Sequence, residues 1–139
     1  MMYFPSTTVA AFVAGLLLAT TTHANAAACE TAATFNDVVR LVNAALNANR
    51  GEICFHPFHV VKPTAGSLVL NRPISIRCDK QSNNDQCIIE GDGNQIKIAG
   101  RNADVTIDGF TFVGATNCAV RVHKTTFKTH TLVDCDFIK

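Results

Sequence analysis

Charge is missing from the first fifth of this 139-residue chain: Met1 to Ala28 contains no Lys, Arg, Asp or Glu. Its apolar centre, Val9 to Ala19, covers about eleven residues, short of the roughly twenty that a bilayer-spanning helix requires. Ala24-Asn25-Ala26 follows with the small-x-small pattern of a cleavage site. These features give an apolar stretch too short for a membrane-spanning helix and predict a signal peptide over 1–28, removed on export after Ala26 or Ala28. The chain also lacks an excess of charge of either sign, with 12 basic against 11 acidic residues and no basic run. Nucleic acid and anionic membranes are therefore not expected partners, because such binding rests on concentrated positive charge. Asn-x-Ser/Thr is absent as well, which excludes N-glycosylation as a source of solubility.

Helical spacing is scarce too. Only Thr34 to Asn49 carries it, with Phe35, Val38, Val39, Leu41, Val42, Ala45 and Leu46 on one apolar face. Thr34 is the expected N-cap with Asp37 in the first turn, and Asn49-Arg50-Gly51 the expected stop, with Gly51 in the left-handed conformation.

What is present in quantity is short β-branched runs. Ser67–Leu70 with Pro73–Cys78, Cys87–Glu90, Gln95–Ala99, Val105–Val113, and Ala119–Val122 with Thr131–Phe137 are joined by Gly, Asn and Asp turns. No single run buries a core alone, so the runs must stack as a coil. Aligning Phe110-Thr111-Phe112 with Cys135-Asp136-Phe137 gives a repeat of about 25 residues, which places Phe112 on Phe137 and Phe110 on Cys135. Thr111 and Asp136 then face outward. The same runs also fit a small antiparallel sandwich, with Asp92-Gly93 and Asp108-Gly109 as hairpin dipeptides.

Six cysteines, Cys29, Cys54, Cys78, Cys87, Cys118 and Cys135, all follow the signal segment, and an even count in an exported chain points to disulfides. Cys78–Cys87 closes a wholly polar excursion between two strands. Cys29–Cys54 would pin the mature N-terminus to the first strand. Cys118–Cys135 would tie neighbouring coils, unless Cys135 is a buried free thiol.

The segment Phe35 to Leu46 followed by Gly51-Glu52-Ile53-Cys54-Phe55 resembles the N-terminal capping helix and first strand of pectin-lyase-like right-handed parallel β-helix proteins. Ile88 to Gly93, Val105 to Phe112 and Leu132 to Phe137 are similar to that family's coil strands. The resemblance implies an all-β right-handed parallel β-helix with an N-terminal capping helix: 29–66 holds the cap and first strand, 67–139 the coils. Because Phe137-Ile138-Lys139 ends inside a strand-like run, the front part of a longer, truncated solenoid is expected.

No catalytic motif of that family is recognisable, so catalytic residues are unassigned; an enzyme here would be a polysaccharide lyase or glycoside hydrolase. Asp92, Asp104, Asp108, Asp134 and Asp136 have the composition of turns. Cys54-Phe55-His56-Pro57-Phe58-His59 lacks a fourth ligand at zinc spacing, so no metal is expected, nor any cofactor. The candidate ligand-binding residues are Arg121, His123, Lys124 and Lys128, whose charges suit an acidic glycan. The resulting expectation is a secreted, disulfide-braced, non-catalytic protein that recognises extracellular polysaccharide or another surface. A structural or adhesive repeat protein is the remaining alternative.

Overall fold

The computed structural model describes residues 28–82, 84–123 and 128–139. The expected signal segment, but for Ala28, lies outside the described residues, as does Lys124.

Among the described residues, one helix precedes eleven short strands. Helix α1 (Phe35–Asn47) starts at Thr34, whose hydroxyl accepts from Asp37 N–H while the Asp37 carboxylate accepts from Thr34 N–H, a reciprocal capping box. Its end differs from expectation. Asn49, at φ 52°, takes the left-handed position and Gly51 does not. Asn49 N–H donates to Leu46 O at 3.1 Å and Arg50 N–H to Ala45 O at 2.9 Å, the double bond of a Schellman stop. Asn adopts this conformation more readily than most residues because its short polar side chain can hydrogen-bond locally to the backbone.

The strands are β1 (Glu52–Phe55), β2 (Phe58–Val61), β3 (Leu68–Leu70), β4 (Ile74–Cys78), β5 (Cys87–Glu90), β6 (Ile96–Ile98), β7 (Val105–Asp108), β8 (Phe110–Val113), β9 (Val120–Val122), β10 (His130–Val133) and β11 (Asp136–Ile138). Every pairing is parallel, and three sheets result: β1-β4-β7-β10, β2-β5-β8-β11 and β3-β6-β9. This is a right-handed parallel β-helix of about 3 turns with an N-terminal helix. Parallel register removes the antiparallel sandwich. Asp108-Gly109 is a corner between two parallel sheets, where Gly109 at φ +77° turns the chain in one residue. The same corner splits the 131–137 run at Asp134, whose φ is 45°.

Inward rows run through successive coils. Ile53, Ile76, Ile107 and Leu132 form one, and Val60, Ile89, Phe112 and Phe137 another. Phe112 and Phe137 stack as the repeat predicts, with ring centroids 5.3 Å apart and planes at 22°. Thr111 pairs with Asp136 and shares a row with His59 and Ile88. Yet Thr111 is only 2% exposed, and its Oγ1 has no hydrogen-bond partner among the described residues. Cys135 sits before β11 in the corner, half-buried against the core, with Sγ 3.5 Å from Ile107 O. Burial pushes its thiol pKa up.

Two of the three expected disulfides form: Cys29–Cys54 (Cα–Cα 4.5 Å) and Cys78–Cys87 (5.9 Å). The first fastens the segment before α1, where Glu30 bridges Phe55 in parallel, to the outside of β1. Two disulfides fit an oxidising compartment. Cys118 and Cys135 do not pair, which corrects the third expectation. Cys118 lies in the turn from β8 to β9 and Cys135 in the turn from β10 to β11, so different corners of the cross-section hold them apart.

Candidate functional site

Alternation in a strand sends Ile96 and Ile98 inward and Lys97 outward, and on the next coil sends Val120 inward and Arg121 outward. Parallel register sets Lys97 directly opposite Arg121. Both side chains are exposed, and neither has an acidic partner among the described residues. Like charges facing one another across a strand pair destabilise it by up to about 1 kcal/mol, so the arrangement is held by the apolar residues beneath it.

A cleft of about 230 Å³ lies beside this pair, lined by Lys97, Ile98, Ala99, Arg121 and His123. His123 is anchored there by its main chain, which donates to Ile98 O at 2.8 Å. Lys97 also borders a second, wider cleft of about 520 Å³ that runs along the turn 62–67 and reaches Asn94. In that turn Lys62 is buried, and its Nζ donates to the carbonyls of Pro63 (2.8 Å) and Gly66 (3.0 Å). With Thr64 O at 3.4 Å as a third acceptor, its donors are taken up by the turn, so among the described residues the cations of this face without an acidic partner are Lys97 and Arg121.

Of the sequence candidates, Arg121 and His123 come together on this face. Lys128 is exposed just before β10 and does not line either cleft. Lys97 is not singled out by the sequence, because the repeat read there rests on Phe110 and Phe137, which belong to another sheet. Its signal was the Ile96-Lys97-Ile98 alternation one coil before Val120-Arg121-Val122.

The aspartates spread over three corners: Asp92 between β5 and β6, Asp104 between β6 and β7, and Asp108, Asp134 and Asp136 around the corner that leads to β8 and β11. Asp92 accepts from the Thr116 hydroxyl. That bond, then Gly93 N–H, with Lys62 more distant, holds its carboxyl below the usual aspartate value. Such an acid is a turn anchor and a poor proton donor near neutrality. Cys54 and His59 are engaged elsewhere, in the disulfide with Cys29 and in a 2.8 Å pair with Glu90. No helix among the described residues is long and apolar enough to cross a membrane.

Compared with family models, with curated proteins and with solved structures, the chain gives no match to any of them.

Proposed function

We propose that this is an exported, non-catalytic β-helix that recognises acidic carbohydrate on the outer face of its three-stranded sheet. The observation that carries the reading is the Lys97–Arg121 pair, two unneutralised cations in register beside a cleft. Carboxylate or sulfate groups on a sugar chain accept charge-assisted hydrogen bonds from such donors and relieve their mutual repulsion. The flat repeat of a parallel sheet suits a linear polymer, and the resemblance to pectin-lyase-like proteins points to the same substrate class. The disulfides and the uncharged leader agree with an extracellular site of action.

The test is binding of polygalacturonate and sulfated oligosaccharides by calorimetry. Lys97→Glu/Arg121→Glu is expected to lower affinity by about tenfold or more, as two charge-assisted contacts imply. Lys124→Glu/Lys128→Glu separates the loop from the sheet. Wild-type affinity in the Lys97/Arg121 variant ends the proposal.

A further inference from the structure

Cys29, His56 and Asp79 come from three separate segments, yet one donor atom from each lies within 4.8 Å of the other two. We propose that the Cys29–Cys54 disulfide gates a metal site: once a dithiol opens it, Cys29, His56 and Asp79, with Cys54 as fourth donor, bind a zinc-class divalent ion.

The backbone fixes all four residues against one another. Glu30 N–H donates to Cys54 O at 2.8 Å, and His56 N–H to Glu30 O at 2.9 Å, which ties the Cys29 segment to both neighbours. Asp79 N–H donates to Phe55 O at 2.8 Å. Tetrahedral zinc with bonds of about 2.0–2.3 Å needs its donors roughly 3.3–3.8 Å apart, so Cys29, His56 and Asp79 close by about 1 Å while Cys54 Sγ, 1.98 Å from Cys29 Sγ in the bridge, moves away from it by about 2 Å once the bond opens. His56 Nδ1 already stands 3.9 Å from Asp79 Oδ2, while Asp79 Oδ1 faces Arg77 at 3.9 Å. Arg77 thus faces the other carboxylate oxygen, and Gln81 Nε2 donates to Oδ2 at 3.4 Å, a contact the metal would replace or share.

Access distinguishes this bridge from the other. The difference lies in one sulfur: Cys29 is half-buried, beside the exposed His56, whereas Cys54, Cys78 and Cys87 are all buried. A thiolate of the dithiol attacks Cys29 Sγ, and the S–S electron pair leaves on Cys54 Sγ. The second thiol then attacks the mixed disulfide and releases Cys29. The reductant departs as its cyclic disulfide, and the protein gains two electrons and two protons, the latter released as the thiolates take the metal.

Cobalt(II) is the probe, added anaerobically to Cys118→Ser/Cys135→Ser protein that has been reduced with a dithiol and desalted. Reduced protein is expected to bind one ion with a tetrahedral visible spectrum and thiolate charge transfer, while oxidised protein shows neither. His56→Asn and Asp79→Asn are each expected to weaken binding by about tenfold or more, Cys29→Ser to lower the charge-transfer band by about half, and Cys29→Ser/Cys54→Ser to remove it. Zinc is expected to displace the cobalt. The proposal is overturned by equal affinity in the oxidised protein, by unchanged binding in the His56 and Asp79 variants, or by a signal that follows Cys78→Ala/Cys87→Ala rather than Cys29→Ser. It is overturned equally if reduction abolishes the β circular-dichroism signal and cobalt does not restore it.

Discussion

The two ends of the stack carry the same kinds of side chain in different surroundings. Under α1, Ile53 and Phe55 are sealed, and Phe35, Val38 and Val42 of the helix are buried on the other side of the contact. On the last coil, Leu132 continues the row of Ile53 and Phe137 the row of Phe112, but they are 44% and 55% exposed. Hydrophobicity and register are alike, so the difference lies in whether a further layer lies over them. In a solenoid each coil supplies half of its neighbour's core, and burial is a property of the pair.

Truncation breaks that comparison most sharply. Phe55→Ala is expected to cost about 3–5 kcal/mol in urea unfolding, because it empties a sealed position. Phe137→Ala should cost under about 1.5 kcal/mol, since much of its ring is already in water. Equal losses would mean that the last coil is as well packed as the first.

The disulfides come next, both near the capped end. Chain-entropy arguments assign about 3.5 kcal/mol to Cys29–Cys54 and about 2.6 kcal/mol to Cys78–Cys87. Paired Ala substitutions followed by unfolding should reproduce that order. Native alkylation before reduction should modify only Cys118 and Cys135, with Cys135 slower because burial disfavours its thiolate. Modification of all six thiols would remove the bridges.

The cap itself is the gentlest lever. Thr34→Ala is expected to cost about 1 kcal/mol through loss of the N-cap. The Thr34 hydroxyl is the main reason that the Asp37 carboxyl titrates below the usual aspartate value, with Arg40 and the Thr34 N–H adding to it. A depressed folded-state pKa contributes stability above the unfolded value, lost as pH falls through the folded one. Asp37→Asn should therefore flatten the decline in stability below about pH 4 and leave its shape near neutrality unchanged. An identical acid limb in the variant would show that the box contributes nothing to it.

Local chemistry makes the coil, the helix start and the Cys78–Cys87 bridge readable from sequence. Alternating runs, Thr34 with Asp37, and two Cys bounding a polar excursion are all near-neighbour signals. What escaped depends on how coils superpose. Lys97 meets Arg121 only through register, and Asp79 meets Cys29 and His56 only through the first corner. The Cys118–Cys135 pairing failed for the same reason, since closeness along adjacent coils does not place two residues at one corner. Thr111 shows the limit of period-two reasoning: parity assigns a face and leaves burial unassigned.

The turn that leads from the first sheet to the second is made by His56-Pro57, then by 79–86, then by Gly109 alone, then by Asp134-Cys135, while the strands on either side keep their pairing. The Cys78–Cys87 clasp spans the base of the long version, whose two ends stay bonded to the ladder through Asp79 N–H to Phe55 O and Phe58 N–H to Gln86 O. The vertex thus accepts connections from a single residue to a long excursion while the flanking strands keep one pairing, so length at this corner is uncoupled from the register of the sheets.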